Sequence, residues 1–184
     1  MKKFILYGFL VVIIGATGCV GQKIKPAAQV DKTPIYMEHH VPFRKHISVR
    51  DAVRRECNLG GKLATHINNY AKSYHLNMME GKGHGKNMDS GRTLEIEIVD
   101  VDGAGGGAWS GAKMVAIEGE LMDHGKVIGS FRAVRSSTGG AFGAYKGTCS
   151  ILGRTVKALG KDVALWLQHP DLNASLGEAR RRRH

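Results

Sequence analysis

No apolar run in this 184-residue chain is long enough to cross a bilayer. The longest, residues 4–14, holds eleven residues, or about 16 Å of helix at 1.5 Å each, roughly half of a ~30 Å hydrocarbon core. Signatures of chemistry are equally scarce. The chain contains no HExxH, no paired CxxC and no GxSxG, so the usual zinc-site and serine-hydrolase patterns are missing. No internal repeat is visible, which sets solenoids and propellers aside. Acidic residues are few, 16 against 27 Lys and Arg, giving a formal charge of +11. Such a balance often marks a nucleic-acid binder, but no strand pattern of interleaved aromatic and basic residues accompanies it, and no nucleic-acid partner is expected.

What is present starts at the N-terminus. Lys2 and Lys3, the apolar run and the small residues Ala16, Thr17 and Gly18 before Cys19 form an export signal over residues 1–18. The small-residue neck ending in Cys resembles the lipobox of bacterial lipoproteins, with Ala16 where Leu is usual. That resemblance implies diacylation of Cys19, cleavage before it and a further acylation of the new N-terminus. One myristoyl-sized chain gives only marginal membrane binding, so several chains imply stable anchoring. Val20, where the enterobacterial sorting pattern would have Asp to retain a protein in the inner membrane, implies an outer-membrane anchor with the domain in the periplasm. Ordinary signal-peptidase cleavage and an uncleaved anchor are the alternatives.

Residues 19–34 lack periodicity and read as a lipidated tether. Residues 35–169 read as a single domain of about 135 residues, able to bury roughly two thirds of its unfolded surface without a cofactor. Residues 170–184 read as a basic tail carrying arginine at 180, 181, 182 and 183. Such a run is either a solvated end or an electrostatic adhesive for anionic head groups and cell-wall polymer, at up to ~1 kcal/mol per residue.

Within the domain the apolar period changes twice. Ser48-Val49-Arg50-Asp51 has the form of a capping box opening a helix to about Ser73, striped by Val53, Cys57, Leu63, Ile67, Tyr70 and Tyr74. Gly60 and Gly61 inside it cost about 1 kcal/mol each relative to Ala, so either a partner packs closely there or the helix bends. A second helix is expected over about 146–168, where Cys149, Leu152, Val156, Leu159, Val163 and Trp166 recur at threes and fours before His169-Pro170. Gly153 and Gly160 widen its stripe and invite close approach to a sheet. Between the helices the period is two: Leu94, Ile96 and Ile98 alternate with Glu95 and Glu97, Val115, Ile117 and Leu121 with Glu118 and Glu120, and Val127, Phe131 and Ala133 continue the pattern. Asp123-His124-Gly125-Lys126 reads as a tight hairpin. Short strands near 36–43 and 76–79 complete an α+β fold, with two helices on one face of a mainly antiparallel sheet of about four to five strands. The other face carries Glu95, Glu97, Glu118, Glu120 and Arg132 as cross-strand charge pairs.

Cys57 and Cys149 lie on the inward stripes early in their helices. Export to an oxidising compartment makes a disulfide between them the natural expectation, closing a loop of about 91 residues worth up to ~4.5 kcal/mol. Two buried reduced thiols are the alternative.

The remaining signatures weaken on inspection. The run at 103–108 has the spacing of a dinucleotide fingerprint but leads into alternating sequence instead of a helix. The run at 139–148 precedes a helix but lacks a Gly-Lys-Ser/Thr ending. His39 and His40 are adjacent in extended sequence and point to opposite faces. No metal, cofactor or catalytic residue is expected.

Residues 92–167, with RTLEIEIVDV, GGGAWSGAKM, GELMDHGKVIGSF and the Cys-bearing last helix, resemble a group of uncharacterised proteobacterial envelope lipoproteins, with Cys57 as the matching earlier motif. The layout is also similar to small α+β domains of envelope-assembly lipoproteins, such as those serving curli secretion or penicillin-binding-protein activation. The resemblance implies a non-enzymatic adaptor or assembly accessory with an envelope protein partner. Trp109, Phe142 and Tyr145 on glycine-rich loops are the candidate contacts, because aromatics on pliable loops bury much area at little rotamer cost. The alternative is a binder of anionic cell-wall or lipopolysaccharide groups.

Overall fold

The computed structural model describes residues 32–81, 91–104, 111–138 and 146–179. The elements are β1 (Ile35–Met37), α1 (Asp51–Glu56), α2 (Leu59–Ser73), β2 (Met78–Glu80), β3 (Arg92–Asp102), β4 (Lys113–Asp123), β5 (Lys126–Ser137), α3 (Thr148–Trp166) and β6 (Ala174–Gly177). The strands form one sheet of six in the order β2-β1-β3-β4-β5-β6.

The alternating segments form the centre. β3, β4 and β5 are long antiparallel neighbours, and the β4–β5 turn is tight because His124 and Gly125 both take positive φ, 49° and 75°, as a two-residue hairpin loop requires. The flanks differ from the mainly antiparallel sheet expected. β1 is parallel to β2 and to β3, and β6 is parallel to β5. The reason is connectivity: α1 and α2 carry the chain from β1 to β2, and α3 carries it from β5 to β6, and a helical crossover returns a strand in the same direction. β6 lies beyond the domain end expected at residue 169. Its four residues, Ala174–Gly177, are too few to show periodicity and exist as a strand because β5 offers an open edge.

The single first helix expected is two. α1 ends at Glu56, and Asn58 adopts φ 46° before α2 begins; Asn is among the few residues that tolerate this conformation. Close packing also occurs at Gly60, where a Cβ would collide with the Val41 carbonyl oxygen and approach the His40 ring to 2.7 Å. The capping box does not form: Arg50 occupies the N-cap and caps nothing with its side chain.

Both long helices cover one sheet face. Leu63 and Ile67 of α2, Ile151, Leu152, Val156, Leu159 and Val163 of α3, and Ile98, Ile117 and Leu121 of the sheet are all fully enclosed. Large residues sit over small ones. The Phe131 ring lies where a Gly119 side chain would be, Trp166 fills the space above Gly129, and the two rings meet edge-on at 4.8 Å between centroids. Gly160 does approach a neighbour closely, but that neighbour is α2, through His66, while Gly153 meets nothing within 4 Å. A disulfide joins Cys57, at the α1–α2 break, to Cys149 in the first turn of α3, with Cα atoms 4.9 Å apart.

Candidate functional site

The side chains pointing away from the helices form a shallow groove of about 580 Å³ across β3, β4 and β5. Its charge follows from strand register. Glu97 stands opposite Glu118, Glu95 opposite Glu120, and Glu118 opposite Arg132. Two facing glutamates repel when nothing intervenes. At the Glu97–Glu118 pair Arg44 intervenes, its Nε donating to Glu97 Oε2 and its Nη2 to Glu118 Oε2, each at 2.8 Å. Arg132 Nη1 donates to Glu118 Oε1 from the other side.

Arg44 reaches this position through backbone pairing. Ile98 N donates to Pro42 O at 2.8 Å and Arg44 N to Ile98 O at 2.9 Å, so residues 42–44 run alongside β3 beyond β1. The Arg54 guanidinium lies 4.7 Å from the centroid of the Phe43 ring and pins the segment further.

Burial pushes the Glu118 carboxyl up, but the hydrogen bonds from Arg44 and Arg132 outweigh it and hold the group below the ordinary carboxylate value. The hydrogen bonds that Arg44 donates to Glu97 and then to Glu118 raise its own pKa in return. These are surface pairs, with Arg44 43% and Glu97 47% exposed, so they set the local field more than they add stability. The arrangement suits recognition of cationic groups. Among the described residues no cluster of three His, Cys, Asp or Glu side chains could hold a metal ion.

At the helix side of the sheet, Arg135 donates from Nε and Nη2 to the two Asp162 carboxylate oxygens at 2.7 and 2.8 Å. This fork ties β5 to α3 and raises Arg135, chiefly through the Asp162 hydrogen bond.

The aromatic candidates Trp109, Phe142 and Tyr145, and the lipid-attachment candidate Cys19, lie outside the described residues. The roots of their loops are described. β3 ends at Asp102 and α3 starts at Thr148 at the same end of the sheet, where Thr148 Oγ1 donates to Ala104 O at 3.2 Å. Gly103 packs there between Val53 and Leu152, next to the Cys57–Cys149 link. The described roots of the segments bearing Trp109 and the Phe142/Tyr145 pair therefore adjoin, beside the covalent link.

Sequence reasoning placed Glu95, Glu97, Glu118, Glu120 and Arg132 on the open face, where they are. It missed Arg44, because a lone arginine in a short aperiodic segment carries no signal of the strand it will adjoin.

No family model matches the chain, and no curated protein matches it. Among solved structures it is similar to the PelC dodecamer from Paraburkholderia phytofirmans, at 13% identity over 74% of this chain and 91% of that one, with a TM-score of 0.46. It is similar also to a minor lipoprotein from Acinetobacter baumannii, at 10% identity, 76% and 93% coverage and a TM-score of 0.41. A third similarity is to protein XCC0632 from Xanthomonas campestris, at 12% identity, 77% and 87% coverage and a TM-score of 0.43.

Proposed function

We propose that this protein is a non-enzymatic adaptor or assembly accessory of the bacterial cell envelope, tethered through lipid on Cys19 to the outer membrane with its domain in the periplasm. The observation that carries the reading is the braced end of the sheet. Two glycine-rich loops, one with Trp109 and the other with Phe142 and Tyr145, spring from roots linked by the Thr148–Ala104 hydrogen bond and stiffened by the Cys57–Cys149 disulfide. A rigid base under aromatic loops lowers the ordering cost of binding a protein surface. The export signal and the Cys at its end supply the location.

The alternative partner, an anionic polymer or lipopolysaccharide, is favoured by the arginines at 180–183 alone. The groove on the open face is lined by Glu38, Glu95, Glu97, Glu118 and Glu120 against Arg44 and Arg132, a balance that repels such a ligand.

Crosslinking in intact envelopes followed by mass spectrometry tests the reading. One recurring protein partner is expected, lost or weakened by Trp109→Ala or by Tyr145→Ala. Capture of polysaccharide alone, or a pattern indifferent to all three aromatic positions, overturns it. Cys19→Ser should release the protein from membranes; continued sedimentation with them at high salt refutes the lipid anchor.

A further inference from the structure

The chain does not leave the fold at the end of β6. Glu178 turns back over the open face, accepting from Ser136 N at 3.1 Å and from Ser136 Oγ at 2.8 Å. Ala179 then packs on Ala116 and Val134, with Val99 and Met114 beside them, as a small apolar cluster of its own. Ala116 and Val134 are register partners on β4 and β5, on the face opposite the helices. Ala179, the last described residue, thus sits on the open face, and the four residues that follow it, 180–183, are all arginine.

That point is ringed by carboxylates. Asp100 is the register partner of Ala116 and Asp102 that of Met114, so both share the face on which Ala179 sits, and both are exposed. Glu118 stands two residues along β4 from Ala116, roughly 7 Å away, with Glu97 opposite it. Four extended residues span up to about 14 Å, which brings this whole set within reach of residues 180–183. Among the described residues no cation pairs with Asp100 or Asp102.

We propose that the arginines at 180–183 dock on the acidic open face of their own sheet, against Asp100, Asp102 and the Glu97–Glu118 pair. Charge complementarity selects the ligand, and the tether selects the source: a segment joined to the face at Ala179 competes at millimolar effective concentration with any basic partner in solution. The open face is then an occupied docking surface, independent of the aromatic loops invoked for the envelope partner.

The test compares the full chain in non-ionic detergent with a form carrying R180S, R181S, R182S and R183S, by amide NMR. At low salt the two should differ most at Val99, Asp100, Asp102, Met114 and Ala116, and the difference should collapse at roughly 0.5 M salt, where the screening length falls to a few ångströms. In a D100N/D102N background the serine replacements should shift these amides much less. Tetra-arginine peptide added in trans should bind the serine form at least about tenfold more tightly than the unsubstituted chain. Identical spectra at low salt, equal peptide affinity for both forms, or a difference that vanishes on dilution and so reports a second copy, would each overturn the proposal.

Discussion

The two faces of the sheet solve opposite problems. The centre of the helix-covered face is shut off from water, and its residues are matched by volume: Phe131 over Gly119, Trp166 over Gly129, and Leu152, Val156 and Leu159 of α3 fully enclosed against the sheet. Apart from the small Ala116–Val134–Ala179 cluster, the open face is organised by charge, with Arg44 bridging two glutamates that register sets against each other and Arg132 pairing with Glu118 from β5. Close packing makes a face expensive to alter, while screened surface charge makes it cheap to alter. The covered face therefore determines whether the domain folds, and the open face is free to be adapted for contacts.

The sharpest way to break this contrast is Phe131→Ala. It removes a ring that caps Gly119 and abuts Trp166, and should cost about 3–5 kcal/mol in urea unfolding. A loss below about 1 kcal/mol would mean that the covered face is not close-packed. Next in size, replacing Cys57 and Cys149 together by Ala should cost about 2–4 kcal/mol, read by the same unfolding curves; an unchanged midpoint would show that the α1–α2 break is held without the link.

Two glycines in one helix sharpen the comparison within the covered layer. Gly160→Ala places a methyl 2.6 Å from His66 Cβ and 3.0 Å from α2 backbone, and should destabilise by about 1–3 kcal/mol through overpacking. Gly153→Ala meets open space and should stabilise by about 1 kcal/mol, the ordinary helix preference for Ala. Thermal melts of the two variants should move in opposite directions.

The smallest expected effect lies on the open face. Arg44→Ala should cost no more than about 1 kcal/mol near neutrality. Its signature is in the pH dependence. Glu118 is held below the ordinary carboxylate value of 4.5, so its stabilisation is complete above that value and is lost as pH falls through its lower folded-state pKa. Combined Arg44→Ala and Arg132→Ala should flatten this acid limb of stability, measured as urea midpoints at successively lower pH. A limb unchanged by both substitutions would show that the arginines do not hold the carboxylate.

Much of this was legible in order of residue alone. Strict alternation in β3, β4 and β5 told inward from outward correctly, because a pleated strand has a period of two and each residue votes for a face. The α3 stripe likewise marked the helix and its buried side. The break between α1 and α2 was signalled only as a bend or a close partner at Gly60 and Gly61: the apolar spacing runs through it, and the deciding facts are the left-handed Asn58 and the approach of residues 40–41 to Gly60. The glycines of α3 look alike in sequence and differ in what lies opposite them. A strand near 76–79 was legible, but its parallel pairing with β1 was not; that pairing, strand β6 and the placement of Arg44 depend on partners 43 to 74 positions away, and local pattern holds no trace of those.

Residue order by itself determined which side of each long element is apolar and which two cysteines share an inward position, since both are properties of near neighbours. Tertiary structure alone decided that the sheet is mixed and six-stranded, that Arg44 lies between Glu97 and Glu118, and that Ala179 returns the chain to the acidic face. These follow from which edges are left open once the long strands have paired, and from long-range contacts whose closure entropy only the assembled core repays.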